Sequence, residues 1–355
     1  EEHGILALSS NYPLYADLSN RVMNVLATYS PRTEVYSIDE CFVDLTGTPK
    51  LRDVSYQMRE QVMQWTGIPV CVGIGPTKTL AKLSNFVAKR HPRSKGVFNY
   101  NDLTEAQQTK LLSQITVDEV WGVGRKLTKR LGEYGIQTVQ DLRVAHTPTL
   151  RAEFGVVIEK TQRELQGIAC IDLQEVVPNK QQIISSRSFG SMVQDVEVLK
   201  DAMSTFVANA CAKLRAQDSH ASVIQVFLQT NRFRKDLPQY MPSLAIPLPM
   251  PTNDSLAVNK WACHLIDLMF KPEYQYKKAG VVLSEISPTS HIQGDLLTLE
   301  TETNSRLMTA IDQLNTRFGR GAIKISTQGA HRSWQMRQER KSPCYTTVWT
   351  ELPII

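Results

Sequence analysis

The stretch that most constrains this chain is 35–45, in which two neighbouring carboxylates, Asp39 and Glu40, stand between runs of β-branched and aromatic residues. Such runs favour β-strands. Adjacent side chains on a straight strand point to opposite faces, so two neighbouring carboxylates come together only where the backbone turns or bulges. We therefore predict a β-hairpin with both acids at its tip. The alternative for this pair taken alone is a solvated surface turn.

Two carboxylates on one rim are typical of a site for hard divalent cations. Mg²⁺ takes oxygen ligands, and two such ions held close together catalyse phosphoryl and nucleotidyl transfer. Asp39 and Glu40 are therefore the candidate metal ligands and catalytic residues.

Length and composition exclude some classes of protein. A chain of 355 residues is long enough for about two to four domains, and 42% hydrophobic with 21% charged residues is usual for a soluble globular protein. No apolar run reaches the length of a membrane span, and residues 1–4 do not form a signal-peptide leader. Six scattered cysteines without zinc spacing predict reduced thiols and a cytoplasmic location.

A run of bases follows the first glycine-rich turn. Between Thr77 and Gly96 there is no acid, which favours a phosphate partner over a solvated helix face. The bases are Lys78, Lys82, Lys89, Arg90, Arg93 and Lys95. The preceding stretch 73–79 lacks the Walker spacing, so we interpret it as a strand-to-helix turn. Lys89, near the end of the predicted helix, is the candidate contact to a triphosphate.

The spacing of apolar residues gives a coarse secondary structure. It predicts helices over 14–26, 51–65 and 77–90, with a buried strand over 69–75. Together with the hairpin, these elements describe an α/β layer.

Glycines separate short helices in the next part of the chain. Gly122-Val123-Gly124 precedes a helix predicted from Arg125, and a further helix begins near Val139. We interpret this pattern as a helix-hairpin-helix, whose backbone N–H groups contact DNA phosphates without reading bases. The alternative is a plain turn between helices.

The order β-α-β-β-α-β is predicted over 183–286, which gives a four-stranded sheet with two helices on one face. The open face of such a sheet can lie against a duplex, with Arg187 and Ser188 near phosphates. Further candidate phosphate contacts are Arg232, Arg234 and Lys235. The last part is predicted to be helical over 307–318 and strand-like over 322–326.

Several motifs together resemble the Y-family DNA polymerases, and within them the UmuC-like catalytic subunits of translesion polymerase V. The resemblance extends over nearly the whole chain. The residues that carry it are 37–45, 73–83, 120–124, 186–190, 278–281, 333–336 and 342–347.

The resemblance implies an α+β multidomain fold. Residues 1–100 would form a partial polymerase palm, without the first catalytic strand and the fingers. A helical thumb with the helix-hairpin-helix would occupy 101–172, a linker 173–182, and a β-α-β-β-α-β little finger 183–286. Residues 287–355 would form a C-terminal extension that binds a sliding clamp or another partner.

The resemblance also implies roles for the candidate residues. Asp39 and Glu40 would ligate two Mg²⁺ ions, and Lys89 would contact the incoming dNTP. The DNA contacts would be Gly122, Val123, Gly124, Arg187 and Ser188. The peptide that docks into the sliding clamp would comprise Gln293, Asp295, Leu296 and Leu297.

By the same resemblance the function is error-prone translesion synthesis on primer-template DNA in the SOS response. The further partners implied are a processed UmuD-like dimer and a RecA-like filament. No membrane partner is expected.

This sequence departs from the family in one respect. The family's first metal-binding Asp, the aromatic pair that screens out ribonucleotides, and the fingers are not present in it. We therefore expect an N-terminally truncated fragment that binds DNA but polymerises weakly or not at all. The alternative is a catalytically inactive DNA-binding scaffold or accessory protein. A nucleotide cyclase with a similar hairpin is disfavoured by the thumb-like and little-finger-like regions.

Overall fold

The computed structural model describes residues 3–174, 178–290, 304–319, 321–329 and 333–352. The chain divides into two units, Glu1–Val177 with Arg340–Ile355, and Pro178–Glu339. The predicted clamp residues Gln293, Asp295, Leu296 and Leu297 lie outside the described residues. Within the described ranges, no helix combines the length and apolar character needed to cross a bilayer.

The first unit begins with the predicted hairpin and two helices, the first of which packs on both hairpin strands. The elements are α1 (Tyr12–Ala27), β1 (Thr33–Val35), β2 (Cys41–Val43) and α2 (Leu51–Thr66). Strands β1 and β2 are antiparallel, with Val35 opposite Cys41, so residues 36–40 form the turn. The two helices bury Val22, Val25 and Val62 between them. The hairpin and both helices agree with the prediction.

Next along the chain, a helix packs on a strand so closely that their backbones are in contact. The elements are β3 (Val72–Ile74), α3 (Lys78–Arg90) and β4 (Val97–Asn99), and β3 pairs with β4 in parallel. A Cβ atom on Gly73 would lie 2.1 Å from the Asn85 backbone nitrogen and 2.4 Å from the Ala81 carbonyl oxygen. The glycine therefore permits close packing of α3 on β3, as expected for a strand-to-helix turn. Strand β4 was not predicted.

Five short helices follow in the first unit. They are α4 (Glu105–Leu112), α5 (Arg125–Glu133), α6 (Val139–Val144), α7 (Thr147–Phe154) and α8 (Val156–Leu165). Their core continues that of α3, since Leu80 and Leu83 share one buried cluster with Leu131 and Leu165. A 3₁₀ turn over Val117–Glu119, rather than an α-helix, precedes the turn at Gly122. The division into palm and thumb remains a prediction.

The second unit has the predicted order of elements. They are β5 (Ile183–Val193), α9 (Val196–Ala216), β6 (Ser219–Thr230), β7 (Ser243–Thr252), α10 (Ser255–Met269) and β8 (Tyr276–Pro288). The sheet is antiparallel in the order β5-β8-β6-β7, so β5 and β7 are its edges. Both helices bury their apolar residues against one face of the sheet.

Both edges of this sheet have distinctive residues. Strand β7 carries Pro247, Pro249 and Pro251 at every second position. On β5, the Gly190 N–H donates to the carbonyl of Trp334 at 3.1 Å. A Cβ atom at Gly190 would lie 2.3 Å from the Gln335 carbonyl oxygen, so only glycine permits this approach.

The final helix α11 (Ser305–Phe318) was predicted, whereas the strand over 322–326 is wrong. Helix α11 is joined to α9 by Arg215, whose guanidinium donates to both carboxylate oxygens of Asp312 at 2.5 and 2.8 Å. The Asn315 side chain accepts from the N–H groups of Gly321 and Ile323 at 3.1 and 3.0 Å and donates to the Ile323 carbonyl at 3.1 Å. These bonds occupy the backbone groups that a strand would need.

The close packing at Gly73 can be tested by substitution. Gly73→Ala should lower the free energy of unfolding by more than about 2 kcal/mol, because the added methyl group meets backbone atoms that cannot rotate away. Urea unfolding followed by circular dichroism measures the change. Gly132→Ala is the control, since nothing lies within 4 Å of its Cβ position, and it should leave stability equal or raised. Equal stability of Gly73→Ala and the wild type would contradict this account of the packing.

Candidate active site

Asp39 and Glu40 lie on the turn between β1 and β2, which we call the carboxylate turn (residues 36–40). The N–H groups of Tyr36 and Ser37 both donate to the Glu40 carbonyl at 3.1 Å, which closes the turn. The Ser37 hydroxyl donates to the Asp39 carboxylate at 2.5 Å. Asp39 is exposed. Both predicted acids therefore stand on one turn, as expected from their spacing.

Glu40 is already engaged by a lysine of α3. The Lys82 ammonium donates to Glu40 Oε2 at 2.8 Å. The same Nζ atom lies 4.7 Å from the centre of the Tyr36 ring and 5.5 Å from that of Trp121. Lys82 was expected to face phosphate, but in this structure its charge is balanced by a carboxylate.

Tyr36, Phe42 and Trp121 form an aromatic cluster beside the carboxylate turn. The Trp121 indole N–H donates to the Tyr36 hydroxyl at 3.0 Å, and the two rings are nearly perpendicular, 5.3 Å apart. The Phe42 ring lies 5.9 Å from Tyr36 and 5.8 Å from Trp121. The cluster thus joins the carboxylate turn to the residue that precedes Gly122.

A second ion pair lies beneath the hairpin, between Lys78 of α3 and Glu34 of β1. The side chains are only 8% and 9% exposed. The Lys78 ammonium also donates to the Asp172 carbonyl at 2.8 Å, and the Gln174 N–H donates to Glu34 Oε2 at 2.7 Å. Burial, together with the charge of Glu34, raises the pKa of the Cys41 thiol to about 11. Lys78 is therefore a structural lysine and not a phosphate contact.

The predicted basic run is divided by the fold into two halves. Lys78, Lys82 and Arg90 each pair with a carboxylate, the last with Glu119 at 3.1 Å. The other half, Lys89, Arg93 and Lys95, is exposed and makes no ion pair with the residues that the structure describes. Lys89 lies seven residues beyond Lys82, and this spacing places both on one face of α3. Lys89 therefore remains available for an anion.

The predicted glycine turn leads into α5. Gly122 has a φ of +88°, a conformation that favours glycine, whereas Gly124 is extended and precedes the helix. Val123 is buried, and its N–H donates to the Val120 carbonyl at 2.9 Å. The N–H groups of the first helical turn have no partner within the helix and suit an anion. Gly122 rather than Gly124 is thus the position that requires glycine.

The donor set on the carboxylate turn fits Mg²⁺. This ion commonly binds through one or two carboxylates together with substrate phosphates and water. In the described part of the chain, no group of three or more His, Cys, Asp and Glu side chains is placed to hold a metal. Asp39 and Glu40 would therefore supply two protein ligands, with the remaining oxygens coming from substrate and solvent.

The second unit separates the two residues predicted to contact DNA there. Arg187 pairs with Ala279, which is buried under the helices, while Ser188 pairs with Lys278. Side chains alternate along a strand, so Arg187 and Ser188 belong to opposite faces of the sheet. Of the two, Ser188 therefore lies on the face that the helices leave open, and the contact of both residues with DNA stays a prediction.

Arg234, another predicted phosphate contact, pairs with an acid of its own loop. Its guanidinium donates to both carboxylate oxygens of Asp236, at 2.8 and 2.6 Å, and this lowers the pKa of Asp236 to about 2. The arginine is thus already paired within its own loop.

Comparison with known proteins decides the family. The family model described as "impB/mucB/samB family" matches residues 2–85, and the model of its C-terminal domain matches 180–296. Protein UmuC of Salmonella typhimurium (strain LT2) is 40% identical over 355 residues, covering 98% of this chain and 84% of that protein. The chain belongs to the impB/mucB/samB family. The resemblance to UmuC-like Y-family polymerases is therefore confirmed.

Other comparisons agree with membership of the impB/mucB/samB family. Protein MucB of Escherichia coli is 40% identical over 359 residues, covering 100% of this chain and 84% of that protein. A DNA polymerase IV of Oceanobacillus iheyensis is 25% identical over 351 residues, covering 95% of this chain and 79% of that protein. Residues 305–355 match a model described as a domain of unknown function.

The fold of this impB/mucB/samB protein is also found among solved structures. A Y-family DNA polymerase chimera of Dbh and Dpo4 superposes with a TM-score of 0.58, at 21% identity and covering 78% of each chain. At that identity the likeness concerns the fold alone.

Sequence reasoning missed three residues of this site: Glu34, Tyr36 and Trp121. Glu34 and Lys78 are 44 residues apart, and Glu40 and Lys82 are 42 apart. No local pattern indicates which carboxylate a lysine will meet across such a distance. Trp121 adjoins the predicted glycine turn, and its aromatic character was the one available signal.

The buried Glu34–Lys78 pair gives a stability prediction. Lys78→Met should lower the free energy of unfolding by about 3 kcal/mol or more, because it leaves the buried Glu34 carboxylate without a partner. The double variant Glu34→Gln/Lys78→Met removes that orphaned charge and should recover most of the loss. Lys89→Met is the control, at an exposed lysine that pairs with no acid in the part of the chain that the structure describes, and it should stay within about 0.5 kcal/mol of the wild type. A double variant as unstable as Lys78→Met would refute the ion-pair explanation.

Proposed function

We propose that this protein catalyses template-directed nucleotidyl transfer in translesion DNA synthesis. The observation that carries the proposal is the presentation of Asp39 and Glu40 on one turn, next to a helix whose same face bears Lys82 and the exposed Lys89. Membership of the impB/mucB/samB family and the relatives named DNA polymerase IV support it.

Each group at the site has a distinct task in this reaction. Bound Mg²⁺ ions would lower the pKa of a primer hydroxyl and stabilise negative charge on the leaving pyrophosphate. Asp39 and Glu40 would hold the cations. Lys89 offers a compact positive charge to the triphosphate of the incoming nucleotide. No side chain is required to form a covalent intermediate, because positioning and charge stabilisation suffice.

Two surfaces, one in each unit, are proposed to contact the primer-template duplex. In the first unit, the turn from Gly122 to Gly124 presents the N-terminus of α5 to a backbone phosphate. In the second, Ser188, Gln229 and Lys278 share the face of the sheet that the helices leave open. In this proposal the glycine turn and the open sheet face both contact the duplex backbone, so neither reads the base sequence.

The finer parts of the proposal follow from the family. We propose a palm at 1–100, a thumb at 101–172, a linker at 173–182, a little finger at 183–286 and a partner-binding extension at 287–355. Error-prone synthesis in the cytoplasm during the SOS response, clamp docking through Gln293 to Leu297, and association with UmuD-like and RecA-like proteins belong to the same proposal.

A DNA-binding scaffold without catalytic activity is the second candidate. The ion pair between Lys82 and Glu40 favours it, because a neutralised carboxylate is a weaker ligand for a cation. The two functions differ in one measurable respect: a polymerase extends a primer and needs the carboxylate turn to do so, whereas the scaffold binds DNA without extending it.

Asp39→Asn should separate these functions. In protein expressed from the complete reading frame, primer extension should fall by at least about 100-fold, because a lost ligand removes several kcal/mol of transition-state stabilisation. The dissociation constant for primer-template DNA should stay within about twofold. Glu60→Gln, at an exposed carboxylate of α2, is the control and should extend normally. Extension by Asp39→Asn at the wild-type level would overturn the role assigned to Asp39. No extension by the wild type would favour the scaffold.

Gly122→Val tests the DNA contact of the glycine turn. A β-branched residue is strained at a φ of +88°, so the turn should distort and DNA binding should weaken by about tenfold. The loss should be equal on duplexes of different sequence, because only phosphates are contacted. Gly124→Ala, where φ is −97° and nothing lies within 4 Å, should bind nearly normally. Fluorescence anisotropy with several duplexes measures both, and a loss confined to some sequences would show that the turn reads bases.

A further inference from the structure

The Lys82 ammonium is held by an arrangement that ordinary surface lysines lack. It donates to Glu40 Oε2 at 2.8 Å and lies within 6 Å of two ring centres, those of Tyr36 and Trp121. The rings fix each other through the indole-to-hydroxyl hydrogen bond of 3.0 Å. As a result the Lys82 side chain is only 22% exposed.

Enclosure of this kind alters the strength of an ion pair. Exposed pairs contribute little because both flexible side chains have to be ordered and water screens the charges. Here the rings restrict the lysine and add a cation–π attraction. The carboxyl group of Glu40 is therefore occupied by a cation that belongs to the protein itself.

We propose that Lys82 is the resident counter-ion of Glu40, which a divalent cation must displace before it binds at the carboxylate turn. The proposal rests on the proposed function for one point, that Asp39 and Glu40 form a cation site. Lys82 is then a positioning residue, because it acts through Glu40. In this role it keeps cation affinity low while no nucleotide is bound.

Mn²⁺ binding to the protein without DNA or nucleotide tests the proposal directly. The free ion has an electron paramagnetic resonance signal that disappears on binding, so a titration gives the dissociation constant without any enzymatic turnover. Lys82→Met should bind Mn²⁺ about fivefold more tightly than the wild type, equivalent to about 1 kcal/mol. Lys82→Arg keeps the charge and should retain the wild-type affinity. The gain should vanish when Asp39→Asn is added to Lys82→Met.

Lys200→Met is the matched control. Lys200 of α9 pairs with Asp267 at 2.7 Å and Glu197 at 3.2 Å, and its side chain is 24% exposed, close to the value for Lys82. Lys200→Met likewise leaves carboxylates without their lysine and removes one positive charge, but it does so in the second unit. Affinity for Mn²⁺ should therefore be unchanged. An equal gain in Lys200→Met would attribute the effect to net charge and overturn the proposal.

Tyr36→Leu tests whether the rings hold the lysine. Loss of the ring should loosen the pair and tighten Mn²⁺ binding by about twofold. In the Lys82→Met background the same substitution should have no effect, because the ammonium it acts on is gone. Equal effects in the two backgrounds would overturn the role assigned to the rings.

The outcomes distinguish this inference from the proposed function. Equal Mn²⁺ affinity of the wild type and Lys82→Met, with weaker binding by Asp39→Asn, would overturn the resident counter-ion and leave the cation site intact. Absence of Mn²⁺ binding in both the wild type and Lys82→Met would overturn both.

Discussion

The contact between α3 and β3 is the constraint on which the site depends. Gly73 and Gly75 leave no side chain between strand and helix, so the backbones meet. This closeness brings Lys78 to Glu34 and Lys82 to Glu40, which ties the hairpin to the helix at two points. The two lysines that pair with acids of the hairpin therefore stand on a helix whose position depends on Gly73 and Gly75, although neither glycine touches an acid.

Elements defined by local patterns could be predicted from the sequence. The hairpin around Asp39 and Glu40, the helices of both units and the order of strands in the second unit follow from apolar spacing and turn residues. Strand β4 escaped prediction because three residues give no periodicity. The strand expected over 322–326 failed because Asn315, eight residues before Ile323, occupies its backbone groups.

The candidate site was predictable only in part. Adjacent carboxylates between two strand-like runs indicate a turn, so Asp39 and Glu40 could be found. A count of bases along the chain, however, does not reveal that Lys78 and Lys82 are paired with acids more than forty residues away. Likewise, the motif Gly122-Val123-Gly124 suggests two equivalent glycines. Only the backbone angles show that Gly122 has a positive φ, at which any other residue would be strained.

The edges of the second unit's sheet have a consequence for how this protein meets other chains. Prolines on β7 lack the N–H groups that an added strand would need, and on β5 the Gly190 N–H is already bonded to Trp334. Extension of the sheet by a peptide or by a second copy is therefore disfavoured along the proline-bearing half of β7 and at Gly190 of β5. At these positions the backbone lacks free donors for a further strand, so self-association into longer sheets is opposed there.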